Sequence, residues 1–183
     1  NDYAPEEIKP IRNSIKLKAT PAPPSIDPLI PYDPAWVLYG QIADDGGSFL
    51  NQDSFLAYPR TYGTFTYDSK ALYLKMTCDD PEIERVKSKA QRRDDNLWNG
   101  DCVRFSVVAP GNNDLLDFYV NAAGVCTDAR NGDVSWNTDW DAKVSISNRL
   151  GARLWAARIE IPWKSLGLQA PPKELKANLF RHV

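Results

Sequence analysis

Histidine, methionine, cysteine, excess charge and long apolar runs are all scarce in this 183-residue chain. Its 22 Lys and Arg against 24 Asp and Glu leave a net charge of -2, so there is no basic surplus to hold a nucleic-acid backbone. No stretch approaches the run of about 18 apolar residues that a membrane-spanning helix requires. The single histidine, His182, leaves His-dependent triads and multi-histidine metal sites without their parts. It and the single methionine, Met76, are the obvious haem-ligand pair, but Met76 alternates with Leu72 and Leu74 as a core residue does. Three cysteines, Cys78, Cys102 and Cys126, are too few and odd in number for a disulfide framework. Cys78 shares a face with Leu74 and Met76 while Cys102 points with Arg104, which argues against pairing those two. Buried free thiols are expected, with a cross-strand pair involving Cys126 left open. No motif selects a carboxylate pair for glycoside hydrolysis. Binding, not catalysis, is the expectation. The first residues, Asn1 to Glu7, carry no signal-peptide pattern and fit a mature form whose signal has been removed.

What the chain has is strands. Asn96-Leu-Trp-Asn-Gly-Asp101 is a Gly-containing turn that feeds Cys102-Val-Arg-Phe-Ser-Val-Val108, where apolar and polar residues alternate. Val103, Phe105 and Val107 point into a core; Cys102, Arg104 and Ser106 point out. The same alternation recurs in 63–67, in 71–78 with Leu72, Leu74, Met76 and Cys78 inward, and in 116–121 with Phe118 and Val120 inward. It returns in 142–146, in 154–161 with Trp155, Ala157 and Ile159 inward, and in 177–181. Short turns rich in Gly, Pro, Asn and Asp separate these runs, and no long amphipathic helix interrupts them. Pro162 stops one strand, and Trp163 to Gly167 makes a single helical turn. The pattern predicts an all-β fold, an antiparallel β-sandwich of jelly-roll or immunoglobulin-like build.

Two units are expected: a Pro-rich extension or linker over 1–24, and the sandwich over 25–183. Ile15 to Ala19 alternates and offers an edge strand. Trp36 is expected to plug one end of the core, Asp44 to Gly47 to turn, and the charged run from Pro81 to Asp95 to form a solvated loop or short helix. Six Trp and eight Tyr are many for this length, and surface aromatics often serve recognition. Trp98 sits on the turn beside a half-polar strand face, a plausible platform for a flat ligand with apolar patches. Arg104, Tyr119 and Asn121 lie on outward faces, where planar donors and acceptors read hydroxyl groups. Trp136 and Trp140 lie in a loop rich in Asn and Asp.

The order of these pieces resembles the family 9 carbohydrate-binding modules. They are Ile26-Asp27 leading to Asp33-Pro-Ala-Trp36, Ala71-Leu-Tyr-Leu74 leading to Asp80-Pro81, Leu97-Trp-Asn-Gly-Asp-Cys-Val103, Phe118 to Gly124, Ala157 to Gly167, and Asn178-Leu-Phe-Arg181. The resemblance implies a secreted, periplasmic or cell-surface module of a glycan-degrading protein, with attached domains and a mono-, oligo- or polysaccharide ligand. In that family a Trp ahead of the Asp-x-Val strand is one slab of an aromatic sandwich around a sugar ring, and Trp98 matches it. Asn121 falls where the family has an Asn. Arg104 stands where an acidic residue is common, and Tyr119 where the best-known members have Arg. The family's second Trp follows the Asn-x-x-Arg strand; either the sequence, which stops at Val183, lacks that segment, or another Trp substitutes, with Trp136 and Trp140 the nearest candidates. The resemblance also implies structural calcium, no redox cofactor, and oxygen ligands from Asp44-Asp45, Asp79-Asp80, Asp94-Asp95 or Asp139 with Asp141. None of these has the full spacing of a calcium loop. The alternative reading is a structural or adhesion sandwich whose sugar site has decayed.

Overall fold

The computed structural model describes residues 14–16, 37–38, 61–83, 90, 92–98, 100–149 and 152–182. Trp36, the Asp44 to Gly47 turn, the proline run and most of the 84–91 stretch lie outside the described residues. Among the described residues ten strands form, in chain order: β1 (Ser14–Lys16), β2 (Val37–Leu38), β3 (Thr61–Tyr67), β4 (Ala71–Asp79), β5 (Cys102–Val108), β6 (Leu115–Asn121), β7 (Cys126–Arg130), β8 (Asp141–Arg149), β9 (Ala152–Pro162) and β10 (Glu174–His182). One sheet runs β1-β10-β5-β6-β7 and the other β2-β3-β4-β9-β8. Every described pairing is antiparallel. The return of β10 to lie beside β5, after β5, β6 and β7 have been laid down in order, is the spatial sequence of a Greek key. The expected β-sandwich is the observed architecture.

Period-two alternation builds the layer between the sheets. Leu72, Leu74, Met76 and Cys78 of β4 meet Val103, Phe105 and Val107 of β5, Phe118 and Val120 of β6, and Trp155, Ala157, Ile159 and Ile161 of β9 in one core. Phe105 stacks on Phe118 with centroids 6.2 Å apart and meets Phe65 at 5.8 Å. Each fully buried large aliphatic chain contributes about 1.5–3 kcal/mol relative to exposure. Strand β1 lies within the segment expected as an extension, and pairs with β10, Ser14 opposite Lys176.

Turn chemistry closes the hairpins. Asp68 Oδ1 accepts the N–H groups of Lys70 at 2.7 Å and Ala71 at 2.9 Å, folding β3 onto β4. Its carbonyl accepts Trp163 Nε1 at 2.9 Å, so Trp163 seals that end of the sandwich. The expected helical turn is a 3-10 turn, Trp163–Leu166, ended by Gly167 at φ 75, a left-handed conformation that suits a residue without Cβ.

Three pieces of the sequence resemblance converge on one buried ion cluster. Arg181 of β10 points between the sheets, with its side chain 4% exposed. It donates to Asp101 from Nε at 3.2 Å and Nη2 at 3.0 Å, and to the Asp79 carbonyl at 2.7 Å; its Nη2 lies 3.9 Å from Asp80. The ends of β4, β5 and β10 are therefore tied through a single guanidinium.

Candidate functional site

The expected site face is a row of cross-strand neighbours: Phe180 on β10, Arg104 on β5, Tyr119 on β6 and Thr127 on β7. The Arg104 guanidinium lies 4.0 Å over the Phe180 ring and 5.7 Å from the Tyr119 centroid, and Nη1 is 3.3 Å from the Tyr119 hydroxyl. Trp98 tilts against Tyr119 with centroids 5.8 Å apart. Phenyl, guanidinium, phenol and indole thus form a chain of planar groups that ends at Trp98. Such contacts fix ring orientation through quadrupole and cation–π attraction. Ala90, Leu97 and Cys102 complete a second apolar cluster beneath Trp98.

The face is covered, contrary to the solvent-facing role expected of its residues. Tyr119 and Asn121 are each 1% exposed and Arg104 only 7%, whereas Trp98 is half-buried. Asn121 Oδ1 accepts the N–H groups of Ala123 at 3.0 Å and Val125 at 2.9 Å, building the β6–β7 turn. Tyr119 and Asn121 are thus buried, while Trp98 keeps accessible surface. Arg104 supports the ring stack.

Trp136 and Trp140 take the other side of the sheet. Trp140 meets the Phe118 ring edge-on, centroids 5.2 Å apart, and Trp136 packs against the same core. Phe118 and Tyr119 are successive residues of a strand and point to opposite faces. Neither Trp136 nor Trp140 therefore faces Trp98 across one sugar ring, and the expectation that one of them supplies the second slab is corrected.

One element that alternation does not reveal is strand β7. Asp128 occupies a core-side position opposite Phe118 and breaks the apolar alternation there. The Arg93 side chain reaches back to that carboxylate at 2.5 Å and to Asn137 Oδ1 at 3.0 Å. The signal was an acid in a run otherwise short of apolar residues, which composition alone reads as loop.

Of the expected calcium ligands, Asp44 and Asp45 lie outside the described residues; the other pairs lie among the described residues. No group of three His, Cys, Asp or Glu side chains there is placed to hold an ion. Asp80 and Asp101 converge on Arg181, Asp139 binds Lys164 at 2.7 Å, and Asp95 accepts the Arg92 N–H at 3.0 Å. The three thiols are free. Burial pushes Cys78 and Cys102 up to about 12 and Cys126 up to about 11, so all are protonated near neutrality and poor nucleophiles.

No family model matches the sequence, and no curated protein does. Among solved structures, a Bacteroides uniformis protein described as a proposed carbohydrate-binding protein superposes with a TM-score of 0.55 at 18% identity. The match covers 73% of this chain and 68% of that one. At that identity the likeness is one of fold: this chain has the β-sandwich architecture of that protein.

Proposed function

We propose that the chain is a non-catalytic carbohydrate-binding module, of the family 9 kind, acting in a secreted or cell-surface glycan-degrading protein beside attached domains. The observation that carries this reading is the half-buried Trp98 ring, seated on Tyr119, which is in turn bound to Arg104 over Phe180. An indole held this way offers a rigid apolar plane to the CH face of a sugar ring at small entropic cost. The fold shared with a protein proposed to bind carbohydrate supports the same reading. Binding is the mechanism, with Trp98 stacking and the buried polar residues fixing its pose.

Calorimetric titration with mono- and disaccharides, each paired with its reduced alditol, tests the reading. Saturable binding that Trp98→Ala abolishes is expected. Loss of binding with the alditol identifies a chain-end binder. The second reading, a structural or adhesion sandwich with a degenerate sugar site, draws on the burial of Tyr119 and Asn121 and on the absence of a facing Trp among the described residues. It predicts no heat from any sugar.

A further inference from the structure

We propose that Arg93 and Asp128 form a clamp that positions Trp98, so that sugar affinity depends on an ion pair on the opposite side of the sheet edge. The inference rests on the carbohydrate reading above. Asp128 lies on the core side of β7 with its side chain fully buried, and both of its oxygens are engaged. Oδ1 accepts from Arg93 Nη2 at 2.5 Å, and Oδ2 accepts the Thr138 N–H at 2.7 Å. The same guanidinium donates to Asn137 Oδ1 at 3.0 Å and to the Thr138 carbonyl at 3.4 Å, and lies 5.7 Å from the Trp140 ring. One carboxylate and one guanidinium thereby join residues 92–98 to the loop over 131–140.

From Arg93 the chain turns through Asp94, at φ 66, and passes around β7. The Asp94 N–H donates to the Cys126 carbonyl at 3.2 Å, and Thr127 Oγ1 donates to the Asp95 carbonyl at 2.9 Å. Leu97 then buries, and Trp98 arrives on Tyr119 on the far face. Arg93 and Trp98 are thus the two ends of a strap around the sheet edge. Without the guanidinium, Asp128 is a buried carboxylate held by one described N–H, and the strap loses its anchor on the core side. Preorganisation of Trp98 is lost with it.

Arg93 is the residue to vary, because its side chain is 41% exposed and truncation opens no core cavity. Amide exchange followed by NMR, with no sugar present, reads the clamp; calorimetry with the tightest sugar of the panel reads its consequence. Arg93→Ala is expected to speed exchange at both Asp94 and Thr138 and to weaken sugar binding by about tenfold, the scale at which outer-shell support usually acts. Arg93→Lys, which keeps a charge for Asp128, is expected to recover part of both effects. Lys164→Ala removes an ion pair exposed at both ends on the same loop and serves as the control that changes neither. Unchanged exchange at either amide, or unchanged affinity, in Arg93→Ala overturns the clamp. Coupled exchange in a protein that binds no sugar overturns the clamp's role in affinity and the carbohydrate reading together, while unchanged exchange in a protein that does bind sugar overturns the clamp alone.

Discussion

Arg181 shows how one residue serves a whole sandwich. It is the cation for two carboxylates, Asp80 and Asp101, in a site where a metal would otherwise be sought. Burial raises the Asp101 carboxyl, Arg181 opposes that, Asp80 adds to it, and the balance lies above the ordinary carboxylate value. A raised folded value means that this group's contribution is fully present below the unfolded pKa and is lost as pH rises through the folded one. Arg181→Met leaves both acids facing each other without their cation. The expected cost is about 3–5 kcal/mol in urea unfolding near neutrality. It should shrink as pH falls toward the ordinary carboxylate range, where protonation of Asp101 relieves the repulsion. A cost independent of pH would contradict this account of the cluster. The sequence displayed all three residues within recognisable pieces but gave no sign that they meet, because alternation assigns faces and not distances.

At the scale of elements, strands with unbroken alternation were legible. Val103, Phe105 and Val107 face the core as their spacing requires, as do Leu72, Leu74 and Met76. Strand β7 was not legible, since Asp128 puts a charge where the pattern needs an apolar residue. The loop over 131–140 owes its shape to carboxylates. Asp114 accepts Asn131 Nδ2 and Arg130 Nε, each at 2.7 Å, and Asp133 accepts the Ser135 hydroxyl at 2.7 Å and its N–H at 2.9 Å. Hydrogen bonds from Asn131 and Arg130 hold the Asp114 carboxyl below its ordinary value, and those from Ser135 do so for Asp133. A depressed folded value gives stability that is present above the unfolded pKa and lost as pH falls through the folded one. The loop should therefore loosen below about pH 4, near the ordinary carboxylate value. Lower protection factors at Ser135 and Asn131 on acidification, once the intrinsic pH dependence of exchange is divided out, with those of β4 and β9 unchanged, are the expected result. Asp133→Asn should reproduce the Ser135 change at neutral pH.

Across the whole molecule, the fold followed from strand spacing and turn chemistry, and the candidate site followed only in part. Period two identifies residues that share a face; whether chain from elsewhere covers that face is a tertiary fact. Arg104, Tyr119 and Asn121 were correctly placed away from the core, yet that side of the sheet is buried too. Residues of β4 show the same on the other sheet, where Tyr73, Lys75 and Thr77 are all buried opposite Leu72, Leu74 and Met76. Trp98 escapes this cover because it stands on a turn. Trp136 and Trp140 could not be assigned a side from a loop without periodicity. The proposed recognition therefore rests on one indole, with buried neighbours beneath it and the proposed Arg93 clamp beside it.

The measurement that tests this most directly is a sugar titration followed through the indole Nε1–H resonances, with the Trp98 signal assigned from Trp98→Phe. The account predicts that the Trp98 resonance shifts saturably with a sugar while those of buried Trp155 and Trp163 stay in place. A sugar that shifts the Trp136 resonance and leaves Trp98 unmoved, or a panel that moves no indole at all, would contradict it.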